Sequence, residues 1–334
     1  MKKLRILLCV KVIAAMIAAF FVLNILCFFY YNIPVHVPSK TNSTDYLWEK
    51  NKLYSRGTEG FALGITDNNG FNNLQTFENG EIDGIVMGSS HMEAFNVAQD
   101  KNTTSMLNKL SQKSGQNMNF YNIGISGHTL YMCLNNLDEA LNEFKPKKYV
   151  IIETLTLEPD EKTIKSLLDD TLVRQKSYNG GIVGKLQKFP YLRLVYAQLI
   201  NYINNNAPTN NPEPPKTVVA DNKKYELMNA LMAKSAKICE NAGVELIIFY
   251  NCPLNIDNQG DFSERKNMND LKMFEEICEN NNITFIDMYD AFKDNYLQTN
   301  KLPRGFSNTE AGEGHLNEEG HRVISEKLFS TMCK

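Results

Sequence analysis

Five short apolar runs, each stopped by turn residues, constrain this chain more than anything else in its sequence. They are Gly84–Gly88, Phe120–Ile125, Tyr149–Thr154, Glu245–Tyr250 and Thr284–Met288. No polar residue interrupts Ile85-Val86-Met87, Val150-Ile151-Ile152 or Leu246-Ile247-Ile248-Phe249. Strands of that kind must be covered on both faces, which is the condition of a parallel sheet under helices. Segments with helical apolar spacing lie between and after them: Thr103–Ser114, Leu130–Phe144, Tyr225–Ala242, Asp270–Asn280 and Glu318–Met332. The alternation predicts an α/β fold of three layers, αβα, built from right-handed crossovers.

The first residues cannot join that core. Lys2, Lys3, Arg5 and Lys11 precede an apolar stretch from Val12 to Tyr31, broken only by Asn24. About 20 residues at ~1.5 Å rise span about 30 Å, the thickness of a bilayer's hydrocarbon core. Positive charge on the N-terminal flank alone predicts a cytoplasmic N-terminus and an extracytoplasmic remainder. Phe28, Phe29, Tyr30 and Tyr31 then sit at the outer interface. The bulky residues from Cys27 to Asn32 do not suit a cleavage site, so the segment reads as an uncleaved single-pass anchor in the cell membrane.

The chain therefore divides into three parts. Residues 1–33 are a cytoplasmic tip and transmembrane anchor. Residues 34–80 are a polar stalk and lead-in, rich in Asn, Gly, Thr and Ser, with the only tryptophan, Trp48. Residues 81–334 are the globular domain, interrupted at about 159–220 by an insertion. That insertion holds a helical stretch near Lys185–Ile203 and then the Asn/Pro-rich tract Asn204–Pro215, read as a surface loop.

Charge and cysteine content exclude several classes. Lys and Arg total 35 against 38 Asp and Glu, and the N-terminal bases leave the rest mildly acidic. No long basic run exists, so nucleic acid is not an expected partner. Seven cysteines include Cys9 and Cys27 within residues 1–33, the tip and anchor, and no C-x-x-C pair occurs. The spacing suggests neither a zinc site nor a disulfide framework; a Cys239–Cys278 bridge and buried thiols stay open. No metal or organic cofactor is implied.

Two distant motifs carry chemistry. Gly88-Ser89-Ser90-His91 ends the first strand, and Gly312-Glu313-Gly314-His315 precedes the last helix. A serine hydroxyl is a weak nucleophile until a neighbouring base takes its proton, and imidazole titrates in the right range to do so. Loops at the C-terminal ends of parallel strands build the site in such a sheet. The second strand ends in Gly124-Ile125-Ser126-Gly127-His128, where Gly127 can turn a backbone N–H into the cleft as an oxyanion donor. His91 and His128 follow these two blocks and are candidates to line the cleft. His321, on the first turn of the last helix, reads as a surface or capping residue.

Together these blocks resemble the SGNH/GDSL hydrolase superfamily. The resemblance covers roughly Asp83 to the end without the insertion, and implies a flavodoxin-like parallel sheet. It implies Ser90 as nucleophile, the N–H groups of Ser90 and Gly127 as oxyanion donors, with Asn122 opening the second block, and His315 as base. Leu316-Asn317-Glu318-Glu319-Gly320 resembles the family's sequence after that histidine. Three positions depart from the pattern. Ser89 stands where the family has aspartate, and Thr154–Glu158 lacks an oxyanion asparagine, a role for which Asn251 is a candidate. Glu313, two residues before His315, takes the place of the orienting acid, with Glu310 as the alternative. That spacing resembles the cell-envelope branch of the superfamily.

The function so implied is a membrane-anchored extracytoplasmic serine esterase or O-acyltransferase. Its expected substrate is an acyl ester, acetyl first, of an envelope polysaccharide or teichoic-acid-like polymer. The alternatives are a non-catalytic adaptor or acyl carrier partnering a membrane-bound O-acyltransferase, and an inactive binding module.

Overall fold

The computed structural model describes residues 2–38, 46–74, 81–157, 161–169, 188–206, 221–256, 262–263, 265 and 268–333. Helix α1 (Lys2–Tyr30) contains the apolar segment. Its stretch Arg5–Tyr30, 26 residues holding an 18-residue window of mean hydropathy 2.8, is long and apolar enough to cross a membrane.

The lead-in is folded onto the domain and is not a free stalk. Strands β1 (Tyr31–Asn32), β2 (His36–Pro38), β3 (Tyr46–Trp48), β4 (Leu53–Arg56) and β5 (Ala62–Ile65) follow α1. They pair antiparallel as β1-β4-β5 and β2-β3. Tyr54 and Trp48 are buried and pack on Phe95, with ring centroids 4.3 and 5.6 Å apart. Isolated aromatic residues, Trp48 and Tyr54, inside polar sequence supply this packing, which overall polarity conceals.

The central sheet comes from the five apolar runs. Strands β6 (Gly84–Met87), β7 (Phe120–Asn122), β8 (Tyr149–Thr154), β9 (Glu245–Tyr250) and β10 (Thr284–Asp287) are all parallel, in the order β10-β9-β8-β6-β7. This is a flavodoxin-like order, with its switch point where β6 meets both β7 and β8. Alternate residues feed opposite layers. Ile85, Met87, Val150, Ile152, Leu246 and Ile248 enter one core. Val86, Ile151, Ile247 and Phe249 enter the other.

Helices complete both layers. Beside the first core lie α4 (Leu130–Asn135), α5 (Leu137–Phe144), α6 (Glu161–Leu168), α8 (Asp221–Ala242) and α9 (Met268–Asn280). Beside the second lie α3 (Thr103–Lys113), α10 (Tyr289–Thr299) and α11 (Glu318–Met332). The four-residue α2 (Ser90–Glu93) begins at the candidate serine. Within the insertion, α6 packs on α8, while α7 (Pro190–Asn206) packs on α1. Residues 207–215 of the Asn/Pro-rich tract, with the rest of the insertion to residue 220, lie outside the described residues. All seven cysteines are free, so Cys239 and Cys278 form no bridge.

Candidate active site

Strand β6 delivers the serine through a turn that only a small residue can make. A Cβ on Gly88 would stand 2.7 Å from Glu153 Cβ and 2.8 Å from its Oε2. That approach lets the buried Glu153 carboxylate accept from Ser89 N (2.9 Å) and Ser89 Oγ (2.7 Å). Ser89 Oγ accepts in turn from His91 N (3.2 Å), capping α2. Ser89 thus points into the protein and Ser90 out of it. Ser90 sits at the switch point of the sheet, where α/β folds bind ligands.

Ser90 Oγ lies 2.8 Å from Nε2 of His315. The loop carrying His315 is stitched down on several sides. Asn317 Nδ2 donates to Leu302 O (2.9 Å) and Gly305 O (3.0 Å), and Leu316 N donates to His91 Nδ1 (3.1 Å). Arg304 Nη1 donates to Gly314 O (3.2 Å).

The acid behind the histidine is Glu59, from the loop between β4 and β5. Its Oε2 is 2.5 Å from His315 Nδ1, and its Oε1 accepts from His315 N (2.6 Å). Burial opposes ionisation of Glu59. The two hydrogen bonds from His315, with the charges of His315 and Arg56, outweigh it and hold the carboxyl below its ordinary range. Gly314 makes the contact possible: a Cβ there would stand 2.2 Å from Glu59 Oε1.

This corrects the expected acid. Glu313 is exposed, in a turn where its N–H faces Glu310 O at 3.4 Å, and Glu310 is exposed as well. The one sign of Glu59 in the sequence is an acid between two glycines, Gly57 and Gly60, in a segment read as a stalk.

Gly127 has φ +83°, stands exposed, and has open space where a side chain would be. Its loop is anchored from below. Ile125 N donates to Gly88 O (3.0 Å), and Ser126 N donates to Oε1 of the buried Glu93 (3.1 Å), which also accepts from Trp48 Nε1 (2.6 Å). Asn122 Oδ1 accepts from Gly124 N (2.9 Å), so it shapes the loop from inside. Among the described residues, neither Ser90 N nor Gly127 N has a protein acceptor.

The remaining candidates do not line an open cleft. His91 is buried with its ring 5.0 Å from that of His315, and supports the His315 loop through Leu316. Burial, with the charges of Arg304, His315 and His321, pushes its pKa down to about 2. His128 is half-buried beside a small pocket lined by Phe71, Met87, Ile123 and Phe144; burial lowers its pKa to about 4. Asn251 is fully buried. Its Nδ2 donates to Glu153 Oε1 (2.6 Å), while its O and Oδ1 each accept from Arg304 Nη2 (2.9 Å). It is therefore not a free oxyanion donor. His321 is buried, against the expected surface position, with Nδ1 3.2 Å from Thr103 N and 2.8 Å from Thr103 Oγ1.

A hydroxyl, an imidazole and a carboxylate in hydrogen-bonded series are the parts of nucleophilic acyl transfer, and two unengaged N–H groups are what an oxyanion needs. Among the described residues, no group of three or more His, Cys, Asp and Glu is arranged to hold a metal ion.

No protein-family model matches the sequence, and no curated protein matches it. Among solved structures the chain is similar to the esterase EstA from Pseudoalteromonas sp., at 17% identity and TM-score 0.38, over 75% of this chain and 97% of that one. It is similar to the acetyl xylan esterase AlAXEase, at 12% identity and TM-score 0.41, over 74% and 98%. A lipolytic G-D-S-L family protein from Veillonella parvula is similar at 14% identity and TM-score 0.38, over 76% and 99%.

Proposed function

We propose that this protein is a membrane-anchored extracytoplasmic serine esterase or O-acyltransferase of SGNH type. It acts on acyl esters, acetyl first, of an envelope polysaccharide or teichoic-acid-like polymer. The Glu59–His315–Ser90 series carries this reading.

Ser90 Oγ attacks the ester carbonyl as His315 Nε2 takes its proton. Glu59 keeps the other ring proton on Nδ1 and supports the imidazolium. The N–H groups of Ser90 and Gly127 receive the oxyanion. The tetrahedral intermediate then collapses: the alcohol leaves with the proton from His315, and the acyl group stays on Ser90. Water or a sugar hydroxyl, deprotonated by His315, attacks the acyl-serine and regenerates the enzyme.

The basic flank and apolar length of α1 support anchoring with a cytoplasmic N-terminus. The envelope polymer is argued from that location and from the family resemblance, a warrant by analogy. A membrane-bound O-acyltransferase is the corresponding partner for acyl supply.

The test is hydrolysis of a chromogenic acetate by the full chain in detergent, with mass analysis of the quenched protein. The expected result is turnover and one acetyl group on Ser90, consumed faster when an acceptor polymer is added. A protein that neither turns over nor acquires the acetyl group contradicts the reading and favours the adaptor.

A further inference from the structure

We propose that the folded domain itself rests on the outer surface of the bilayer, through two apolar faces that flank α1. This inference rests on the reading of α1 as the membrane anchor.

The first face is α7. It starts against α1, where the Phe20 ring meets Phe189 and Tyr191 at 5.8 and 6.2 Å. Tyr191 N donates to Asn24 Oδ1 (3.3 Å), and Arg193 Nη2 to Pro34 O (3.0 Å). Beyond that contact, Val195, Tyr196, Leu199 and Ile203 are all 40% or more exposed. Their spacing forms one stripe along the helix. A continuous apolar stripe left open to water is unusual on a soluble surface and marks a contact.

The second face belongs to β4 and β5. Leu53, Leu63 and Ile65 are exposed by 43, 46 and 51%. Leu53 pairs with Ile65 across the strands, and Leu63 pairs with Ser55. Ser55 Oγ donates to Phe28 O (2.5 Å), so the end of α1 leaves across the same face that shows these side chains.

Both faces meet α1 in its outer part. The outer interface lies at Phe28–Tyr31, and Asn24 stands one to two turns below it at ~1.5 Å per residue. Asn24 is where α7 docks, and Phe28 is where β4 docks. A bilayer fits both faces because it is apolar, continuous with α1 and covers those levels.

The arrangement also fixes the distance to the chemistry. A Cβ on Gly57 would stand 2.8 Å from the Tyr30 ring. Glu59 follows two residues later, at ~3.8 Å per residue. Through Glu59 and His315, Ser90 is held close above the membrane, within reach of an ester carried by a membrane-borne molecule.

The experiment uses the full chain in vesicles containing brominated lipids, with single tryptophans added. Leu199→Trp and Leu63→Trp report on the two faces, and Phe21→Trp on α1. Leu297→Trp, on α10, and wild type with Trp48 are references. The inference predicts lipid quenching at positions 199, 63 and 21, with emission at 297 and from wild type retained. Quenching at 21 without quenching at both 199 and 63 overturns the inference and leaves the anchor intact. Absence of quenching at 21 overturns the anchor reading and the inference with it. Protection of 199 and 63 from aqueous acrylamide without lipid quenching would seat a protein there, and equally overturns the bilayer as occupant.

Discussion

Glu59 and His315 lie 256 positions apart, yet two hydrogen bonds of 2.6 and 2.5 Å join one carboxylate to the backbone and the ring of one histidine. The carboxylate comes from the strand pair that follows α1, so the segment linking α1 to the domain supplies part of the candidate site.

That contact depends on the missing side chain of Gly314. Alanine there would place its Cβ 2.2 Å from Glu59 Oε1, at φ +76°, where a side chain is strained. Displacing a catalytic group by about 1 Å costs on the order of 10²-fold. Gly314→Ala is expected to lose activity to that extent while the domain stays folded, read by kcat on a chromogenic ester beside a thermal melt.

Asn251 serves the fold instead of the substrate. Asn251→Ala removes a donor from buried Glu153 and an acceptor from Arg304. Buried groups left without partners cost about 1–3 kcal/mol each. Urea unfolding should show a loss of that order, with KM for a small ester little changed. A large rise in KM at unchanged stability would return Asn251 to the binding site.

Acid should weaken the fold through its buried histidines. Burial, then the charge of His315, pushes His321 down to about 3, and burial with neighbouring charges takes His91 to about 2. Both are neutral in the fold, while an unfolded chain protonates them below about pH 6.5. Their contribution is therefore fully present above that pH and is lost as pH falls towards those values. The slope is at most about 1.4 kcal/mol per pH unit for each. His321→Asn keeps an acceptor for Thr103 and removes one titrating ring. Its stability should fall less steeply between pH 6.5 and 4 in urea titrations. An identical slope contradicts this.

What was legible in the sequence follows from its physics. The five strands of the central sheet announced themselves because burial on both faces demands unbroken apolar runs. The meeting of Ser90 and His315 was legible because each sits where a strand or helix boundary must place a loop. Glu59 was not, because a long-range partner leaves no periodic trace and Glu313 had the right spacing by chain distance alone. Asn251, His91 and His321 looked available for function because their type and position are visible in sequence, whereas their hydrogen-bond partners are not. Helix α10 follows β10 after a single residue, Met288, in a stretch for which no helical spacing was read.

The most direct measurement is the rate at which a fluorophosphonate probe labels the full chain and its variants. The relay predicts labelling of wild type, none of Ser90→Ala, and near-complete loss in His315→Ala. Glu59→Gln should slow labelling by roughly 10²–10⁴-fold, since a misoriented base remains present. Glu313→Gln should label at the wild-type rate, because that side chain is exposed and His315 Nδ1 is already engaged by Glu59. Slow labelling of Glu313→Gln with normal labelling of Glu59→Gln would contradict the account at its centre, and undiminished labelling of Ser90→Ala would remove it.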